Sequence, residues 1–248
     1  MYKPEIRNVN VIRYVTPLRE GGSLPAIVEA DDDFFYVLKF RGAGQGVKAL
    51  IAELIGGEMA RVLGLKMPEI VFINLDESFS KTEPDEEIQD LLRASTGLNL
   101  GLHFLSGAIT FDPTVKEIDS LIASKILLLD YILMNVDRTV RNTNMLVWHK
   151  DLWLIDHGAS LYFHHNWASW KEQSVKSFPL IKNHVLYTFA KNLEENAVDI
   201  KATLSHEIIN SIVNLIPAQW LMEDMNEHES PDQKRAIYLE FITTRVGL

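Results

Sequence analysis

Cysteine is absent from all 248 residues, which excludes disulfides, thiolate nucleophiles and cysteine-ligated zinc at once. That absence suits a reducing compartment and makes the cytoplasm the expected location. Basic residues are outnumbered: 24 Lys and Arg stand against 34 Asp and Glu, for a net charge of -10. Nucleic-acid backbones are held chiefly by Lys and Arg, so direct binding of nucleic acid is not expected. Long apolar runs are missing too. The longest uncharged stretch, Ala94 to Phe111, is broken by Gly97, Asn99, Gly101, His103, Ser106 and Gly107, and no membrane span is predicted. The N-terminal MYKPEIRNVNV lacks the apolar centre of a signal peptide. Eight His do not assemble a zinc signature: HEIIN at 206–210 lacks a second His, and the adjacent His164 and His165 diverge in either helix or strand. What remains, 47% apolar and 23% charged residues, describes a soluble globular chain with room for one large or two small domains.

The chemistry concentrates in NVDRTVRNTNMLVWHKDLWLIDHG, residues 135–158. Asp137 is followed five residues later by Asn142 and, past a predicted hairpin, by Asp156 in Asp156-His157-Gly158. Phosphoryl transfer uses such parts: a carboxylate at the acceptor hydroxyl, and an Asn and an Asp that hold magnesium against nucleotide phosphates. The spacing matches the protein-kinase catalytic loop, although Arg138 follows the Asp here instead of preceding it. Apolar residues at helical spacing predict a helix over Asp119–Asn135, and Met145–Trp148 and Leu152–Ile155 read as strands joined at Lys150-Asp151. A loop between two rigid flanks would bring the three polar residues together. The plainer alternative pairs Asp137 with Arg138 and leaves Asn142 and Asn144 to make turns.

Upstream, Asn8–Thr16, Ala26–Ala30 and Phe34–Phe40 read as strands, with Gly21, Gly22 and Ser23 between the first two in a turn able to rest against a phosphate. Lys39 lies on the third strand, on the face opposite Leu38 and Phe40. Val47–Leu63 is predicted as a helix stopped by Gly64, carrying Glu53 and its competitor Glu58, with Gly56-Gly57 marking a bend or close packing. Glu69–Asn74 is a fourth strand, Pro84–Arg93 an acidic surface helix capped by Thr82 or Glu83, and Leu98–Leu105 strand-like, ending in the connector Phe104-Leu105-Ser106-Gly107 beside which a base would sit. Helical periodicity marks His184–Asn192, Ser205–Leu215 and Asp232–Val246.

Together GGSLP, YVLKF, AELIGGEMARVLGLKMPE, NVDRTVRNTNML, LIDHGASLYF and IPAQWL resemble the HipA-like kinase family in its shorter form, over nearly the whole chain. The resemblance implies an α+β, two-lobed protein-kinase-like fold: an N-terminal nucleotide-binding lobe over residues 1–105, with an antiparallel sheet and a helix, and a mainly helical catalytic lobe over 106–248. It implies ATP and Mg2+ as cofactors, Asp137 as the catalytic Asp, Asn142 and Asp156 as metal ligands, Lys39 at the phosphates with Glu53 as its partner, and Gly21, Gly22, Ser23, Phe104 and Leu105 around the nucleotide. Better-known members phosphorylate protein Ser or Thr, which makes a protein the expected substrate. Some are toxins restrained by an antitoxin; this chain is shorter than such toxins, which leaves an antitoxin partner open. The Asp-Arg order and Asp-x-Gly also resemble phosphoinositide kinases, so a small-molecule or lipid kinase is the alternative enzyme. A catalytically inactive nucleotide-binding module is the alternative without chemistry.

Overall fold

The structure, a computed structural model, describes residues 4–18, 24–223 and 229–248. Its contacts divide the chain into two compact units, one of Glu5–Leu50 and Pro68–Ser106, the other built from Ile51–Met67 and Gly107–Leu248.

The first unit is a closed barrel of β1 (Arg7–Pro17), β2 (Ala26–Ala30), β3 (Phe35–Lys39), β4 (Ile70–Leu75) and β5 (Gly97–His103), in the order β1-β2-β3-β5-β4. Neighbours run antiparallel, as predicted, except at one seam: β1 and β4 pair in parallel, from Arg7 against Val71 to Asn10 against Asn74. Alternation along the strands turns Val9, Val11, Val28, Tyr36, Leu38, Val71 and Ile73 inward. Space inside is tight. A Cβ on Gly101 of β5 would come within 2.9 Å of Val71 Cγ2 and 3.4 Å of Tyr36 Cβ.

Helix α1 (Gly46–Val62) follows β3 in the chain, and α2 (Ser78–Thr82) and α3 (Glu86–Ala94) follow β4. Every residue of α1 from Leu50 to Ala60 is buried, in keeping with a helix apolar around most of its circumference. Gly64 ends it as predicted, in the left-handed region at φ +75°, with Leu65 N–H donating to Ala60 O at 3.0 Å. On α3, Ile88 and Leu92 join the barrel core. The helix begins at Glu86, not at Pro84, so its cap is Asp85 instead of the expected Thr82 or Glu83, and Asp85 Oδ1 accepts from Glu87 N at 3.1 Å.

In the second unit β6 (Ile109–Thr110) pairs with β7 (Met145–Trp148), which pairs with β8 (Asp151–Leu154). The turn of this hairpin is His149-Lys150, one residue earlier than expected, with both φ values positive (+48° and +70°), the twist a two-residue hairpin turn demands. Helix α4 (Ser120–Leu133) begins at the cap Asp119, which accepts from Leu121 N at 2.8 Å and Ile122 N at 3.2 Å. Beyond Gly158 come α5 (Trp170–Ser174), α6 (Leu193–Thr203), α7 (His206–Val213), α8 (Ala218–Glu223) and α9 (Pro231–Gly247). Buried Arg245 of α9 donates to Ile132 O at 3.2 Å and Tyr131 O at 2.6 Å, capping the last carbonyls of α4 with a cation. The helix expected over His184–Asn192 is absent: a 3-10 turn spans Pro179–Asn183, and His184 is extended at φ -64°, ψ 136°. Its ring Nδ1 takes the Leu186 N–H at 3.0 Å, a donor that no helix then holds. Among the described residues no helix is long and apolar enough to cross a membrane.

The barrel predicts its own weak point. Gly101→Ala should lower unfolding stability by about 1–3 kcal/mol, because the added methyl overpacks a fully buried seam. A urea midpoint equal to wild type at unchanged slope would contradict that packing.

Candidate active site

Met134 closes α4 in the left-handed region at φ +54°, and Asn135 N–H returns to Asp130 O at 2.9 Å. The next residues form a compact loop. Thr139 and Asn142 exchange both backbone hydrogen bonds, at 2.9 and 3.2 Å, and this turn brings Asn142 back beside Asp137, which accounts for the five-residue spacing. Asn142 Nδ2 donates to Asp137 Oδ2 at 2.8 Å, and Asn144 Nδ2 donates to the same oxygen at 3.1 Å. Asp137 N–H is held by Asn135 Oδ1 at 3.0 Å. Among the described residues the half-buried Asp137 accepts no hydrogen bond at Oδ1, and the Oδ1 of exposed Asn142 accepts none either.

Arg138 does not pair with Asp137. Its side chain turns inward, fully buried, and Nε donates to Asp130 Oδ2 at 2.6 Å. Nη1 reaches the carbonyls of Asn144 and, at 3.3 Å, Ile155. Asp130 Oδ1 accepts Asn135 Nδ2 at 3.0 Å, and Oδ2 also takes His184 Nε2 at 2.9 Å. Burial pushes the Asp130 carboxyl up, but the Arg138 guanidinium and the His184 ring override it, and Asp130 is held well below the usual carboxylate range.

Ile155 N–H donates to Asn144 O at 3.1 Å, so the chain enters Asp156 directly from the loop's own hydrogen bonding. Asp156 is left-handed at φ +56° and partly exposed. The following His157 is fully buried, and its N–H donates to Glu53 Oε2 at 2.9 Å. The ring packs on α1 where Gly56 leaves room: a Cβ there would sit 2.7 Å from His157 Cβ and 2.8 Å from Cγ. That is the close packing the Gly56-Gly57 pair foreshadows. The two glutamates of α1 part ways, since Glu58 accepts from Arg61 Nε at 3.0 Å one turn on.

In the barrel unit, Lys39 pairs with Leu100 across β3 and β5 on the face opposite Leu38, which is wholly buried. Phe104 N–H donates to Phe35 O at 2.8 Å and Leu105 is buried, so the connector leaves the barrel as an ordered segment. Gly21, Gly22 and Ser23 lie outside the described residues. The adjacent histidines diverge as expected: His164 is buried with Nε2 at 2.8 Å from the Tyr238 hydroxyl, and His165 is exposed.

The profile of HipA-like kinases matches residues 11–245. The chain belongs to the HipA-like kinase family. Among curated proteins no sequence match is found. Among solved structures the Helicobacter pylori proinflammatory kinase CtkA overlays with a TM-score of 0.53 at 15% identity, covering 98% of this chain and 93% of that one. Two structures of the Golgi casein kinase, one titled with Mn/ADP bound, give TM-scores of 0.47 at 11% and 12% identity, covering 99% of this chain and 72% of theirs. The overlay with CtkA shows a kinase-like fold, and membership of the family makes this HipA-like kinase a phosphotransferase. Four residues of its loop network escape a reading of motif spacing: Asp130, Asn135, Asn144 and His184. Asp130 alone left a signal, a carboxylate among the apolar positions Ile126, Leu129 and Leu133 of a predicted buried helix.

A carboxyl whose folded pKa lies below its unfolded value stabilises the fold above the unfolded value and loses that contribution as pH falls toward the folded one. Asp130→Asn, which strands a buried guanidinium, should therefore cost about 3–5 kcal/mol at about pH 7, with the difference from wild type narrowing below about pH 4. Urea unfolding across that range is the check, and a pH-independent difference would contradict the pairing.

Proposed function

We propose that this HipA-like kinase transfers the γ-phosphate of ATP, with magnesium, to a Ser or Thr hydroxyl of a protein. The observation that carries the reading is the posture of Asp137. Two amide donors fix its Oδ2, at 2.8 and 3.1 Å, while Oδ1 of the same half-buried carboxylate accepts no hydrogen bond among the described residues. Oδ1 is then the atom that orients the acceptor hydroxyl and takes its proton. Asn142 spends its amide nitrogen on Asp137 and keeps its carbonyl oxygen, and Asp156 adds a carboxylate. Oxygen donors of this kind fit Mg2+, which takes much of its remaining shell from water and phosphate. Magnesium bound there supplies charge neutralisation at the nucleotide phosphates. We assign Glu53 the task of fixing the step from Asp156 to His157, through its bond to His157 N–H. Lys39, Phe104 and Leu105 are assigned to the nucleotide on the strength of the family.

The test is γ-labelled ATP with magnesium and a cell lysate. Asp137→Asn should retain nucleotide affinity and lose about 10²- to 10⁴-fold in transfer, whereas Asp156→Asn should weaken magnesium-dependent nucleotide binding as well. Label on protein bands supports a protein acceptor; label confined to lipid or small-molecule fractions moves the acceptor to those classes. Transfer by Asp137→Asn at the wild-type rate would remove it from the catalytic role.

A further inference from the structure

His184 lies 47 residues beyond Asp137 in sequence, yet it enters the same hydrogen-bond network. Its ring is almost wholly buried, and both nitrogens are committed. Leu186 N–H donates to Nδ1 at 3.0 Å, so the ring hydrogen resides on Nε2, which donates to Asp130 Oδ2 at 2.9 Å. The backbone follows: Thr139 and His184 form an antiparallel bridge, and Val185 N–H donates to Arg138 O at 3.0 Å. Asp130 distributes the constraint in two directions, through Asn135 to the Asp137 N–H and through Arg138 to the carbonyls of Asn144 and Ile155, the residue before Asp156.

We propose that His184 is a positioning residue for phosphoryl transfer: its Nε2–H locks the Asp130 carboxylate and so fixes Asp137 and the Asn142–Asp156 stretch from the far segment of the chain. The proposal rests on the reading of Asp137 as the residue at the acceptor. Groups that act by orienting others commonly cost about 10- to 100-fold when removed, and His184→Ala should lower kcat by that order while nucleotide affinity measured without magnesium stays within about twofold.

Two further variants separate orientation from folding. His184→Gln carries an amide N–H at about the reach of Nε2 and should recover most of the rate. His184→Asn can still accept from Leu186 N–H but falls short of Asp130, and should not. Turnover is read as ADP release from ATP and magnesium, and the side-chain amide resonances of Asn135, Asn142 and Asn144 are read by 15N NMR in parallel. Those amides should shift in the alanine and asparagine variants and return with glutamine, a readout that needs no turnover. Asparagine matching or exceeding glutamine would overturn the proposal, as would an alanine variant with wild-type kcat and unmoved amides. If Asp137→Asn itself turns over normally, the reading of Asp137 fails separately, and the amide shifts still decide whether His184 holds the loop.

Discussion

The Asp130–Arg138 pair is the constraint on which the loop depends. Both side chains are fully buried, so their desolvation is costly and their attraction alone does not guarantee a net gain. The surrounding hydrogen bonds decide the matter. Asp130 receives Asn135, Arg138 and His184, and Arg138 spends its remaining donors chiefly on main-chain carbonyls. Arg138 Nη2 is the exception, buried without a hydrogen bond among the described residues. Such a pair does more for uniqueness than for stability, because a loop in any other conformation would leave a charge without its partner. A planar guanidinium suits the task, since it bonds a carboxylate and two carbonyls from one rigid fork.

How much of this the sequence discloses follows from distance along the chain. The Asp137–Asn142 pair is legible because a local turn between Thr139 and Asn142 produces it. Most strands and the long helices are legible for the same reason, since alternation and helical periodicity are local properties. The partner of Arg138 is not, because a carboxylate among the apolar positions of a helix marks Asp130 as buried without naming the cation it meets, and His184 arrives from a segment whose composition reads as helical. Short-range geometry also misled by small amounts: the hairpin turn fell one residue early because His149 and Lys150, not Lys150 and Asp151, take the positive φ values.

His157 shows a third kind of case, half legible. A glycine pair inside a helix signals a close approach without naming its visitor, and only the fold reveals an imidazole ring against Gly56. The main-chain bond from His157 to Glu53 then gives a helix glutamate two features at once, a buried carboxylate and a tie to the residue after Asp156.

The parallel seam of the barrel governs the order in which this protein can be made. Residues 7–10 find their partners only at 71–74, and β5 must arrive after both to complete the ring. During synthesis the first strand therefore waits, one edge open, until β4 has been delivered, and the ring closes only once β5 follows; pairings of such sequence separation are slow to form. Once closed, the ring itself offers no strand edge for another chain to add to, so the barrel's exposure to edge-on pairing is confined to its own assembly.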